Sequence, residues 1–192
     1  MADSLYSTLA ELEAALPEIR QAPKDEGTLV LIVRRPGEEQ REVLDEARLE
    51  LDEGLVGDGW RARGSKRTAD GSAHPEMQIA IMGARAIGVI AREKERWALA
   101  GDQLFLDMDL GTGNLPPGTR LAIGSAVLEI TPYPHRGCKK FLARFGHDAM
   151  ALLGSAAGTE LRLRGVYARV VVPGTIRAGD VARKIPPGAS PG

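Results

Sequence analysis

The sequence predicts a mainly β protein with a few helices, its strands closed or nearly closed into a barrel. Three observations carry that expectation. Short apolar or alternating segments recur along most of the 192 residues. Turns rich in glycine and proline divide them, drawing on 23 Gly and 12 Pro. Few stretches have a helical period, and many short strands between tight turns are the pattern of closed β architectures.

Composition sets the outer bounds. An apolar fraction of 43% beside 27% charged residues excludes wholesale disorder. A net charge of −1 gives no general attraction to nucleic acid or to an acidic membrane surface. The single cysteine excludes an internal disulfide and any zinc site of several thiolates. No apolar run approaches the roughly 18 residues that span a bilayer. The start Met1-Ala2-Asp3-Ser4 lacks the features of a signal peptide, so a cytoplasmic location is expected.

Residues 1–24 are expected to form an N-terminal helix that packs on the domain or extends it. Asp3 or Ser4 can cap it, and Leu5, Leu9, Leu12, Leu16 and Ile19 recur on one face. Pro17 lies toward its exit. The heptad-like spacing also suits a homodimer contact. Thr28 to Val33 is a continuous apolar run, as in a strand buried on both faces. Arg34-Arg35-Pro36-Gly37 turns the chain, and Val43 to Leu51 returns as a second strand. Asp52 to Pro75 has little periodicity and holds Arg61, Arg63, Lys66 and Arg67. It reads either as an anion-binding element or as a solvated loop.

Met77 to Met82 is the next strand, followed by a helix from Ala84 to Trp97 and a strand from Leu104 to Leu110. Leu121 and Ile123, then Ala126, Leu128 and Ile130, alternate around Gly124-Ser125, which fits a type II′ hairpin. Phe141 to Leu153 predicts one or two short helices broken at Gly146. Val166, Ala168, Val170 and Val172 form one face of a further strand, with Tyr167 and Arg169 on the other. Val181 to Ile185 is the last strand, and the Pro/Gly/Ser-rich tail 186–192 is expected to be flexible.

Cys138 is the natural focus for chemistry. It follows a well-patterned strand, in Pro132-Tyr133-Pro134-His135-Arg136-Gly137-Cys138-Lys139-Lys140. A helix beginning here places the thiol at its N-terminus, where the dipole favours a thiolate. His135, Arg136, Lys139, Lys140 and Arg144 add positive charge nearby. A lone cysteine is by composition a small buried residue, but this context favours a functional thiol. Zinc is not expected, because one Cys and three scattered His lack paired ligand spacing. No Walker A or GxGxxG sequence is present. A thiol amid cations suits either a carried sulfur, as a persulfide, or a bond to a soft metal. The cations favour an anionic, phosphate-bearing ligand. Spacing does not choose between these uses.

The sequence resembles the MOSC family, named for the C-terminal domain of molybdenum cofactor sulfurase. The matching pieces begin with Gly54-Leu55-Val56-Gly57-Asp58, Gly101-Asp102-Gln103-Leu104, Asp109-Leu110 and Asn114-Leu115. Pro117-Gly118, Ala126-Val127-Leu128-Glu129-Ile130-Thr131 and Cys138-Lys139-Lys140-Phe141 follow. Arg144-Phe145-Gly146, Arg164 to Val171 and Gly179-Asp180 complete the set. The resemblance implies a MOSC-type β-barrel over residues 25–185 with Cys138 as its reactive cysteine. It implies that Cys138 ligates molybdenum in the molybdenum cofactor (molybdopterin), as in reductases of N-hydroxylated compounds, or holds a persulfide for metal-sulfur cluster assembly. A non-catalytic barrel that binds an anion or a partner is the third expectation. By the same comparison Arg169, Asn114, Asp58, Arg136, Lys139, Lys140 and Arg144 line a cofactor pocket. With neither a desulfurase nor a ferredoxin-like module in these residues, a cysteine desulfurase or an electron-transfer protein is the implied partner. The region from Gly59 to Glu76 departs from the family's histidine-rich pattern, with only His74.

Overall fold

The computed structural model describes residues 5–185, so the expected caps Asp3 and Ser4 and the tail 186–192 lie outside the described residues. Seven strands close a barrel: β1 (Glu26–Arg34), β5 (Ile79–Gly83), β6 (Leu104–Asp107), β7 (Arg120–Ile123), β8 (Ala126–Ile130), β9 (Val166–Val172) and β11 (Val181–Ile185). Their order is β11-β7-β8-β9-β5-β6-β1, and β1 returns to β11 with Glu26 opposite Arg183. Only the β5–β6 pair is parallel. β2 (Glu42–Leu44) extends from β1, while β3 (Glu46–Glu50), β4 (Gly54–Leu55) and β10 (Gly174–Arg177) form a separate small sheet.

The β1 sequence explains how two cores share one strand. Leu29 and Ile32 belong to the barrel interior, with Ile79, Leu104, Leu128 and Ala168. Leu31 and Val33 belong to a second core outside the barrel, with Met82, Phe105 and Phe141. Strict alternation would put Leu29 and Leu31 on the same face. A register shift between them, opposite β6, changes the parity and lets a continuous apolar run serve both sides.

The outer core is roofed by helices α1 (Leu9–Ala14), α2 (Leu16–Arg20), α4 (Ala84–Ala91) and α5 (Lys139–Gly154), whereas α3 (Trp60–Arg63) and α6 (Ala156–Glu160) lie in the connections. The N-terminal helix is therefore two helices rather than one. Thr8 caps the first in a capping box with Glu11, and Pro17 sits in the first turn of the second. A proline there disrupts the preceding turn but fits a helix start. Leu12 is fully buried and Leu9, Leu16 and Ile19 are partly buried against the same core, so these four pack on their own domain, whereas Leu5 lies before the helix and is exposed.

Other boundaries also differ from the sequence expectation. The returning strand breaks after Leu44, because β2 and β3 pair in different sheets. The helix from Ala84 stops at Ala91, where Arg92 takes φ of 63°, and a 3-10 turn follows over Lys94–Ala100. The sixth strand ends at Asp107, and β10 was not foreseen. The Gly124-Ser125 hairpin is present, with φ of 55° at Gly124. Gly146, at φ 85° and ψ 175°, breaks α5 into two helical halves as expected.

Gly165, before β9, allows a close approach of two backbones. Its φ is +102°, and a Cβ would lie 2.1 Å from the Ile81 carbonyl oxygen. Neither backbone can yield without breaking the β5–β9 pairing. Gly165→Ala is expected to lower stability by about 2 kcal/mol or more. Urea unfolding checks this, as a fall in midpoint with an unchanged slope.

Candidate functional site

Cys138 is the N-cap residue of α5, extended at φ −127° and ψ 172°, and its thiol is free and exposed. The preceding segment, Thr131 to Gly137, lies against the second half of α5: a Cβ on Gly137 would meet Met150 Sδ at 2.5 Å. In a straight helix Met150 would stand about 18 Å along the axis from the thiol. The Gly146 break folds the second half back, which brings Met150 and Leu153 beside the segment that carries Cys138. Thr131 Oγ1 anchors that segment by donating to the Glu76 carbonyl at 2.6 Å.

Between this segment, α5 and the approach to β9 lies a cavity of about 610 Å³. His135 and Arg164 form part of its wall. Behind them Asp102 is fully buried, with Oδ2 accepting from Arg164 Nη1 at 2.7 Å and Oδ1 facing His135 Nδ1 at 3.5 Å. That second separation exceeds hydrogen-bond geometry, and Asp102 Oδ1, His135 Nδ1 and Arg164 Nε have no hydrogen-bond partner. Burial raises the Asp102 carboxyl despite the attraction of Arg164. Burial, with the charges of Arg164 and Arg35, holds His135 well below 6.5 and therefore neutral near pH 7. The Tyr167 ring stacks on His135 with centroids 4.1 Å apart, and burial, with Asp102, pushes its phenol up to about 12. Tyr133 bridges outward, its hydroxyl accepting from Arg67 Nη1 at 2.7 Å and its ring meeting His74 edge-on.

Cations ring this region. Burial and neighbouring guanidinium groups, Arg35 among them, lower both Arg41 and Arg63 from 12.5.

The expected site residues divide into three groups. His135 and Arg136 line the cavity, and Lys139 flanks the thiol. Lys140 and Arg144, on the first turns of α5, are instead ion-paired with Glu38 and Glu39 of the β1–β2 loop. Arg144 also donates to the Leu99 carbonyl. Arg169, Asn114 and Asp58 are held elsewhere. Arg169 pairs with Glu129, which also takes Arg120. The Asn114 amide donates to the Lys24 and Asp109 carbonyls and accepts from Lys184, in a separate depression of about 290 Å³. Asp58 is consumed by Arg35, the Trp60 amide and Gln103. Sequence reasoning missed Arg35, Arg41, Arg162 and Arg164 as site residues. The signal for one of them was present: Arg164 lies in a segment that carried the family resemblance, as does Asp102, and the two are paired here.

Comparison with known proteins agrees with this fold. The protein-family model for the MOSC domain matches residues 76–183, more than half of the chain. No curated protein sequence matches significantly. Among solved structures, the YUAD protein from Bacillus subtilis is similar at a TM-score of 0.57 and 16% identity, over 82% of this chain and 96% of that one. YiiM from Escherichia coli is similar at 0.53 and 19% identity, over 85% of this chain and 72% of that one. Identities this low speak to the shared fold. No helix among the described residues is long and apolar enough to cross a membrane.

Proposed function

The chain belongs to the MOSC domain family, and we propose that within that family this protein binds the molybdenum cofactor with Cys138 as the metal's thiolate ligand. The observation that carries this reading is an exposed, unbridged thiol one residue beyond Gly137, which lines a cavity that also takes in three arginines.

The residues present fit that group. A thiolate is a soft donor suited to the metal. Arg136 and Lys139 flank it in sequence, and no carboxylate pairs with either among the described residues, which leaves both for a phosphate. Arg63, at the end of α3, and Arg41, in the β1–β2 loop, add positive charge near Tyr167 and Asp102. When bound, the cofactor supplies two-electron redox chemistry at its metal. The chain's own groups then orient the cofactor and limit water, and an electron-transfer protein delivers the reducing equivalents. Reduction of N-hydroxylated compounds is the reaction class proposed.

The test is molybdenum content of protein made in a host that synthesises the cofactor. Wild type is expected to carry near-stoichiometric metal and Cys138→Ser almost none, with both equally folded. Absence of metal from both overturns the reading.

The exposure of the thiol favours one alternative, a sulfur carrier. Cys138 thiolate would attack the terminal sulfur of a desulfurase persulfide, forming the new S–S bond as the desulfurase thiolate leaves. Incubation with a cysteine desulfurase would then add the mass of one sulfur to wild type and none to Cys138→Ser.

A further inference from the structure

We infer that the cavity between Thr131–Gly137 and the α5–α6 corner is a binding site for an organic anion with an apolar body, held by Arg162 and Arg164, and that this anion is the class of substrate presented to Cys138. The assignment as substrate rests on the proposed cofactor function; the cavity's preference for anions does not.

The wall chemistry is one-sided. Three guanidinium groups, Arg136, Arg162 and Arg164, line it, and no Asp or Glu does. Elsewhere the surface arginines mostly have acids: Arg20 with Glu160, Arg48 with Glu50, Arg85 with Asp107, Arg183 with Glu26. Among the described residues no carboxylate pairs with Arg136 or Arg162. The ion pair of Arg164 with Asp102 lies behind the wall, and its Nε is buried without a partner. That orphan is a second sign of a missing acceptor, since buried donors are nearly always satisfied.

Arg162 is placed deliberately by the chain. It takes φ of 47°, a conformation uncommon for a residue with a side chain, and Nη1 donates to the Leu115 carbonyl at 2.6 Å. One bond to a neutral carbonyl leaves most of its planar fork available, and burial lowers its pKa from 12.5. A guanidinium so held is suited to a carboxylate or a phosphate monoester head.

Part of the wall is apolar. Met150, Leu153 and Val166 contribute apolar surface to the lining, together with Tyr133, Pro132 and Pro134. A volume near 610 Å³ accommodates a drug-sized molecule, and methionine adapts to varied apolar shapes. A bare inorganic anion would leave that wall unused, and a neutral molecule would leave the guanidinium groups unpaired. Gly137, the residue before Cys138, belongs to the same lining as Arg162, so an anion held at Arg162 shares a cavity with the segment that carries the thiol.

Equilibrium binding on metal-free Cys138→Ser protein tests the site without the cofactor. The probes are 2-naphthoate, 1-naphthyl phosphate, the neutral 2-naphthamide and inorganic phosphate. Either naphthyl anion is expected to bind at least tenfold more tightly than the amide or inorganic phosphate, and the tighter of the two identifies the head group. Arg162→Gln and Arg136→Gln are each expected to weaken it several-fold, and Arg136 is exposed, so its variant keeps the fold. Equal binding of naphthoate and naphthamide, or unchanged affinity in both variants, overturns the anion site. Molybdenum-loaded wild type is then probed with the same naphthoate. Retained binding supports a substrate site beside the cofactor, whereas loss of binding on loading assigns the cavity to the cofactor itself and overturns the substrate reading. Failure to load molybdenum brings down the cofactor reading and leaves the anion preference as measured.

Discussion

Asp58→Ala is expected to lose about 3–5 kcal/mol of stability, read as a fall in the urea midpoint at pH 7. The Asp58 side chain is completely buried, and five donors converge on its two oxygens. The Arg35 amide and Nε donate at 2.9 Å, Arg35 Nη2 at 2.8 Å, the Trp60 amide at 2.9 Å and Gln103 Nε2 at 3.4 Å. Alanine would leave a cation that is 12% exposed with only the Gly101 carbonyl for company. The loss therefore reflects an uncompensated charge rather than the removal of one contact. Burial raises the Asp58 pKa, but the hydrogen bonds and charge of Arg35 outweigh it and hold the carboxyl below 3.8. A depressed acid contributes stability that is present above its unfolded value and lost as pH falls through the folded one. The stability gap between wild type and Asp58→Ala should accordingly narrow as the pH is lowered below 3.8. Asp58 also ties the β1–β2 loop, which carries Glu38 and Glu39, to the segment bearing Trp60 and Arg63. The family resemblance suggested this residue as a cofactor contact, and its geometry makes it a fastening of the rim.

Features written in local sequence were legible. Gly124-Ser125 announces its hairpin because only a glycine comfortably takes the first turn position. Gly146 announces the break in α5. What was hidden depends on partners distant in the chain. No period shows that Glu38 and Glu39 neutralise Lys140 and Arg144 about a hundred residues later, so those cations looked available to the thiol. The small sheet of β3, β4 and β10 joins segments more than a hundred residues apart, and the four residues of β10 give no alternation long enough to read. The bulge in β1 likewise depends on what lies opposite: the apolar run predicted burial on both faces but not the shift that achieves it. Arg164 was legible as part of a family segment and silent about its role, which is fixed by Asp102 sixty-two residues earlier in the chain.

That pair supports the second large effect. Asp102→Ala is expected to destabilise by about 3–5 kcal/mol, because it strands the Arg164 cation, of which only 9% is exposed. Arg164 would keep its bond to the Ala100 carbonyl and its stacking over Phe141, at 4.9 Å, but no anion. The double variant Asp102→Leu with Arg164→Met should recover most of the loss, since apolar groups of similar volume often replace a buried ion pair at little cost. Recovery short of the more damaging single variant would instead show that packing, not stranded charge, sets the penalty. The pH dependence has opposite signs at the two ends of the network. Asp102 is raised in the fold, so ionising it opposes folding as pH rises from 3.8 through the folded value. His135 is lowered, so the unfolded chain gains its proton first and stability falls as pH drops below 6.5. The double variant also lacks one of the guanidinium groups of the anion cavity. If it is as stable as wild type and no longer binds 2-naphthoate, then Arg164 acts on the ligand itself, and Asp102 serves to keep a cation where the barrel would otherwise exclude one.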